Sequence, residues 1–501
     1  MSRRQSVKRK ELHLHRAILF IVAVFFLSSV YSMRVVAEGT TAPVIEGPRL
    51  SQSSDQVLTA ACLGHLRVSE NRRFLVQADG RPFFYLGDTA WELFHRLNRE
   101  EATHYLASRV RHGFTVIQAV ALAELDGLNT PNAYGHCPLI GNDPTQPDLK
   151  DGPDNDYWDH VDYIIRRSRD VGLYVGLLPT WGDKWNQKRG AGPVIFTPEN
   201  AEIFGRWLGE RYKNAGNIIW ILGGDRVPEN DTHNEIIRAM ARGLAEGDGG
   251  QYLMTFHPSG GGASSGRYFA ADTWLDFNML QSGHRSTNTN YVYVERDYAV
   301  TPVKPCMDGE PCYEAPPGVG EQVIRRHAYW AVFAGAHGHT YGAHPIWQMH
   351  DEGRVFKGAV TMYWHESLDL PGAAQLIHLK RLMLSRPFLT RIPDQSVLVS
   401  ESLQDIDRIQ VTRDGRPEQD DATYIMAYFP RHQQATLKTG RISAMTLRGW
   451  WYNPRTGEAA SLGEMPRDDT KQFVPPTNGE DQDWVLVLDD AAKNYPAPGQ
   501  I

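Results

Sequence analysis

Eight short apolar runs, each followed by a stretch with helical spacing or a loop rich in polar residues, restrict this chain more than any other feature. The runs are Phe83 to Gly87, Val116 to Leu122, Tyr174 to Leu178, Ile218 to Leu222, Tyr252 to Phe256, Phe277 to Leu280, Val303 to Met307 and Gly335 to Tyr341. Such alternation predicts parallel strands with crossover helices. Between the first two runs, Asn98-Arg99-Glu100-Glu101 has the pattern of a capping box; Tyr105, Leu106 and Val110 follow as an apolar stripe that stops near Gly113. Tyr157, Trp158, Val161, Ile164 and Ile165 recur at helical spacing, as do Ile203, Phe204, Trp207, Leu208 and Tyr212. Eight strands between Phe83 and Tyr341 fit the ~250 residues of a (β/α)8 barrel. The expected fold is therefore α/β, a TIM barrel over residues 66–390.

From about Leu389 the texture changes to short alternating strands, Ser396 to Ser400, Arg408 to Thr412, Thr423 to Tyr428, Thr446 to Trp451 and Trp484 to Leu488. Residues 391–501 thus predict an appended antiparallel β-sandwich. At the other end, Arg3, Arg4, Lys8, Arg9, Lys10 and Arg16 precede the apolar run Ala17 to Leu27, and Val35-Val36-Ala37 offers small-residue cleavage. Residues 1–37 read as a signal peptide and 38–65 as a linker, which predicts a secreted or periplasmic protein; an uncleaved membrane anchor is the alternative. Seven basic residues and one acid lie in 1–37, so the rest of the chain carries −13 against −7 for the whole. A nucleic-acid partner needs a basic surface and is not expected. Cys62, Cys137, Cys306 and Cys312 allow one or two disulfides but have no CxxC spacing for a thiolate metal site.

In a barrel, chemistry sits where strands end at the C-terminal face. The residues there are Asp88 and Trp91 after the first run, Glu124 and Asp126 beyond the second, and Trp181, Asp183 and Trp185 after the third. Asp225 follows the fourth, His257 the fifth, His284 the sixth, Asp308 and Glu310 the seventh, and His337, His339, Tyr341, His344 and Trp347 belong to the eighth. Indole and phenol rings stack on sugar C–H faces while carboxylates and imidazoles bind hydroxyls, so this rim suits a polysaccharide or oligosaccharide. No P-loop or GxGxxG is present in the sequence, and no cofactor is expected. Strands four and seven face each other across the mouth. Asp225 and Glu310 can converge there as the pair of carboxyls that glycosidic cleavage needs, about 5 Å apart in retaining enzymes; a structural rim acid is the plainer alternative for Asp225.

Four stretches, Arg81 to Trp91, Ile219 to Asp225, Asp308 to Glu314 and Gly338 to Trp347, resemble the signature segments of the apiosidase-like family, glycoside hydrolase family 140. The tail is similar to a collagen-binding-type β-sandwich. The resemblance implies retaining exo-hydrolysis of an apiosyl linkage in the pectin rhamnogalacturonan II, with Asp225 as acid/base and Glu310 as nucleophile, Glu314 being the competitor for that role. Asp88, Trp91, Trp181, Trp185, His257, His284, His339, Tyr341, His344 and Trp347 are the candidate substrate contacts. Two other functions stay open: a non-catalytic carbohydrate- or matrix-binding protein on the same scaffold, and a metal-dependent hydrolase using His337 and His339.

Overall fold

The computed structural model describes residues 63–316, 318–400, 404–479 and 481–501. The basic leader, its apolar run, the cleavage site near Ala37, most of the linker and Cys62 lie outside the described residues. Among those described, no helix is long and apolar enough to cross a membrane.

The barrel strands are β1 (Tyr85–Thr89), β2 (Val116–Leu122), β3 (Tyr174–Thr180), β4 (Ile218–Gly223), β5 (Met254–His257), β6 (Asn278–Gln281), β7 (Cys306–Asp308) and β8 (Gly338–Tyr341). They pair in parallel from β5 back through β1 to β8, β7 and β6, and β8 meets β1 with Gly338 opposite Tyr85 and Tyr341 opposite Asp88. Between β5 and β6 no regular ladder forms; the Asp276 N–H donates to the Met254 carbonyl at 2.9 Å and the Thr255 hydroxyl to the Phe277 carbonyl at 2.7 Å. Helices α1 (Arg99–Arg111), α2 (Tyr157–Asp170), α3 (Pro198–Tyr212), α4 (Asp231–Asp248), α5 (Asn290–Tyr298), α6 (Glu321–Phe333) and α7 (Pro371–Leu384) cover the outside. Asn98 and Glu101 form the expected capping box at α1. The strand expected at Phe83 to Gly87 is two elements, because Pro82–Phe83 belongs to a small antiparallel sheet with Leu75–Val76 and Arg67–Val68. Leu66, Leu75 and Phe83 from this sheet share a core with Tyr174, Ile219 and Met307 inside the barrel.

The tail strands are β9 (Ile392–Pro393), β10 (Gln410–Arg413), β11 (Tyr424–Phe429), β12 (Thr446–Tyr452), β13 (Ala459–Pro466) and β14 (Trp484–Asp490), in the spatial order β9-β10-β11-β14-β12-β13. The expected strand at Ser396 to Ser400 is instead a 3₁₀ turn, Gln395–Val397. Opposite the six strands stands only a two-stranded ribbon, Ala435–Leu437 with Lys471–Phe473, so the expected sandwich is lopsided. Alternate residues explain why. Ile425, Ala427, Phe429, Leu486 and Leu488 pack towards the ribbon, whereas Tyr424, Met426, Tyr428, Val485 and Val487 join the core of the barrel helices. Both faces of the central strands β11 and β14 are thus buried. Ion pairs Arg325–Asp483 and Arg386–Asp489, each 2.8 Å and buried, cross this contact. Trp451 lies in the tail core and Trp450 donates to Asp489 at 3.2 Å, so both are structural.

Candidate active site

Loops leaving the C-terminal ends of the strands enclose a cavity of about 870 Å³, within the ~300–1,000 Å³ that small ligands fill. Trp91, Trp181, Trp347, His284 and His344 line it together with Glu124, Asp225 and Glu310, as the rim pattern predicted. Tyr313, Arg189, Asn288 and Lys357 also line it and had not been singled out. Tyr313 lies within the Asp308 to Glu314 stretch, three residues beyond Glu310, so its neighbourhood carried a signal; Arg189 sits in a Gly-rich loop with none.

Asp225 is delivered by three consecutive residues with positive φ, Gly223 at 97°, Gly224 at 94° and Asp225 itself at 54°. A Cβ on Gly224 would meet the Gly182 nitrogen at 2.8 Å and Trp181 Cα at 2.9 Å. Only glycine fits there. The Asp225 N–H donates to His257 Nδ1 at 3.1 Å, which leaves the proton of a neutral imidazole on Nε2. That nitrogen lies 2.9 Å from Glu310 Oε2, close but not aligned as a straight hydrogen bond. Glu310 Oε1 accepts from the Tyr313 hydroxyl at 2.6 Å and has His284 Nε2 at 3.4 Å.

The two carboxyls sit in opposed electrostatic settings. Burial alone would push both upward. For Glu310 the contacts with His257 and His284 outweigh burial and hold its carboxyl well below the usual range. For Asp225 burial and the charge of Glu310 prevail over Arg189, Arg226 and His257, and its carboxyl is raised. Arg226 Nη1 is 3.0 Å and Arg189 Nη2 3.2 Å from Asp225 Oδ2. Behind Glu310, the fully buried Asp308 accepts from the Ser282 hydroxyl at 2.7 Å and from Asn290 at 3.0 Å, tying the β6 loop to β7. Burial pushes Asp308 up to about 6.

Glu314, unlike Glu310, does not line the cavity. It accepts from the Tyr341 hydroxyl at 2.7 Å and from the Gly372 N–H at 2.9 Å, at the start of α7 and off the cavity wall.

Five expected substrate contacts are placed elsewhere. Asp88 is fully buried, accepting from the Tyr105 hydroxyl at 2.6 Å with Arg109 at 3.3 Å, because its side chain faces the helices rather than the mouth. Tyr341, its neighbour on β8, faces the same way towards Glu314. His339 is level with Leu86 on that side and is buried. Trp185 is buried beneath the rim and donates to the Gly223 carbonyl at 3.0 Å. His257 is buried beneath the wall, where it touches both carboxyl-bearing residues instead of the cavity. The metal-dependent alternative also lacks its geometry: His337 is buried inside the barrel and donates to the Cys306 carbonyl at 2.9 Å, and no group of three metal-ligating side chains converges among the described residues. Cys137, Cys306 and Cys312 are free thiols, so no bridge joins any two of them.

A nearly closed barrel that sets a low-lying carboxylate and a raised carboxyl beside indole rings, at the C-terminal ends of its strands, has the architecture of a glycoside hydrolase. Two solved structures agree. One described as a glycoside hydrolase is 35% identical over 86% of this chain and 98% of its own, with a TM-score of 0.79. Another, from Bacteroides vulgatus and described as a glycoside hydrolase family 5 protein, is 34% identical over 87% and 95%, also at 0.79. Comparison with curated proteins gave no match. Residues 69–390 match the family described as "Apiosidase-like, catalytic domain", and residues 392–489 match "Putative collagen-binding domain of a collagenase". The chain belongs to the apiosidase-like family of glycoside hydrolases.

Proposed function

We propose that the protein is an exported, retaining exo-glycosidase that removes an apiosyl or closely similar residue from pectin side chains of the rhamnogalacturonan II type. What carries the mechanism is the opposed setting of two neighbouring carboxyls, Asp225 raised by burial and the charge of Glu310, and Glu310 held low by His257 and His284 with Tyr313 donating to it, a setting that suits one to act as acid and the other as nucleophile. The Glu310 carboxylate attacks the anomeric carbon while the glycosidic C–O bond breaks and Asp225 passes its proton to the leaving oxygen. With the Glu310 charge consumed in the ester, Asp225 loses the neighbour that raised it and turns into a base. It then takes a proton from water, whose oxygen attacks the anomeric carbon and frees Glu310. Tyr313 and His284 hold the Glu310 carboxylate, and Trp91, Trp181 and Trp347 receive the sugar face. The sugar class rests on family membership, and export rests on the leader; a mature protein starting near Glu38, found by N-terminal sequencing from the native host, is the expected outcome for the latter.

Kinetics and product stereochemistry test the mechanism together. Glu310→Ala should abolish turnover of every glycoside. Asp225→Ala should retain activity on aryl glycosides with good leaving groups and yield, with azide, a glycosyl azide of retained configuration. An inverted product, seen by NMR in the first seconds, would replace this mechanism with a water-holding one.

A further inference from the structure

A second cavity, of about 830 Å³, adjoins the first, and Glu124 and Lys357 line both. The two side chains form an ion pair across the junction. The loop Arg189-Gly190-Ala191 spans the same boundary, with Arg189 on the first cavity beside Asp225 and Gly190 and Ala191 on the second. The charge of Asp225 also reaches Glu124. The second cavity therefore opens on the side of the proton donor, where the leaving oxygen departs.

Its wall indicates what fills it. Glu101, Glu124, Asp126, Arg354 and Lys357 stand on it, and its one ring, the His95 imidazole, is already held by Glu92 and the Thr130 carbonyl. Glu124 is paired with Lys357 and Glu101 with Arg354, and an apolar leaving group would take water from these charges and return no hydrogen bonds. Hydroxyls would satisfy them.

We infer that this second cavity is the binding site for the leaving half of the substrate, a hydroxyl-rich saccharide of more than one residue that runs from Asp225 past the Glu124–Lys357 pair. The inference rests on the glycosidase reading above and adds that the enzyme selects its substrate by the chain it releases as well as by the sugar it cleaves.

Ala133 and Val355 are exposed residues on this wall, away from the carboxyl pair. Filling the cavity by A133W, or separately by V355W, should leave thermal stability intact. The test compares apiosyl fluoride, whose leaving group is a single atom, with an apiose-terminated oligosaccharide from rhamnogalacturonan II. The ratio of kcat/KM, oligosaccharide over fluoride, should fall about tenfold or more in each variant, as expected when even one or two hydrogen bonds to a buried sugar are lost. An unchanged ratio, or an equal fall on both substrates, overturns the inference. If the unmodified protein cleaves neither probe, the apiosidase reading fails on its own; calorimetric binding of the oligosaccharide then decides this one, supported if A133W weakens binding and overturned if it does not or if none is seen.

Discussion

At the scale of single residues, Asp225 carries opposing demands. Its φ of 54° is in the left-handed region, and its folded carboxyl is raised. A group raised on folding adds stability below its unfolded pKa and loses it as pH climbs through the folded one. At neutral pH Asp225 therefore costs stability, and Asp225→Asn should raise Tm there, the gain shrinking towards acid, while hydrolysis of natural linkages collapses; thermal scans across pH read this. Arg189 acts oppositely, since its guanidinium lowers the Asp225 carboxyl. Arg189→Ala should move the basic limb of kcat/KM to higher pH. The shift should be modest and smaller still in salt, because the guanidinium is mostly exposed. Asp225 and Glu310 were legible in the sequence because Gly-Gly and Asp-Gly before them mark sharp exits from strands. Asp88, His339 and Tyr341 were misread for a reason of parity. Successive residues of a strand face opposite sides, and a polar residue near a strand end can turn towards the helices as readily as towards the mouth. Arg109, on α1, was the missing information for Asp88.

At the scale of elements, the β4 exit does the positioning. Gly224→Ala would place a Cβ against the backbone of Trp181 and Gly182 while forcing φ of 94° on a residue that resists it. It should lower Tm, by about 1–3 kcal/mol of stability, and reduce kcat far more than Asn98→Ala, which costs α1 a cap at about 1 kcal/mol but leaves the site alone. Activity and unfolding measured on both proteins separate the two effects. Most barrel strands were legible because strands covered on both faces are continuous apolar runs. β13 was not: it is exposed along nearly its whole length and has little apolar alternation. The ribbon strands are three residues each, too short for a period to show.

For the whole molecule, the tail is a wall of the barrel's own helix layer. Tyr329 of α6 stacks on Tyr428 at 4.9 Å, the Trp330 indole donates to the Arg408 carbonyl, and Arg325 and Arg386 are neutralised by tail aspartates. Asp483→Ala would strand Arg325 in a buried position, a loss of about 3–5 kcal/mol, and full denaturation should remain one transition for barrel and tail together. Two separated transitions in calorimetry would show instead that the tail folds independently. The sequence showed that a β-rich tail exists; it could not show that one face of that tail belongs to the barrel, since a buried face reads alike whichever partner covers it.

The strand order of the tail has a consequence for how the chain is made. β14 lies between β11 and β12 but is made after both, so the sheet has no middle until residues 484–490 have left the ribosome. Until then the outer faces of α6 and α7 have no cover, although every residue of the catalytic cavity has already been synthesised. At ~5–20 residues per second, the nascent barrel spends seconds as a sticky half-product. A chain cut short before Trp484 has every residue of the cavity but leaves that helix face without its cover, so one late strand completes the sheet and the barrel's outer layer together.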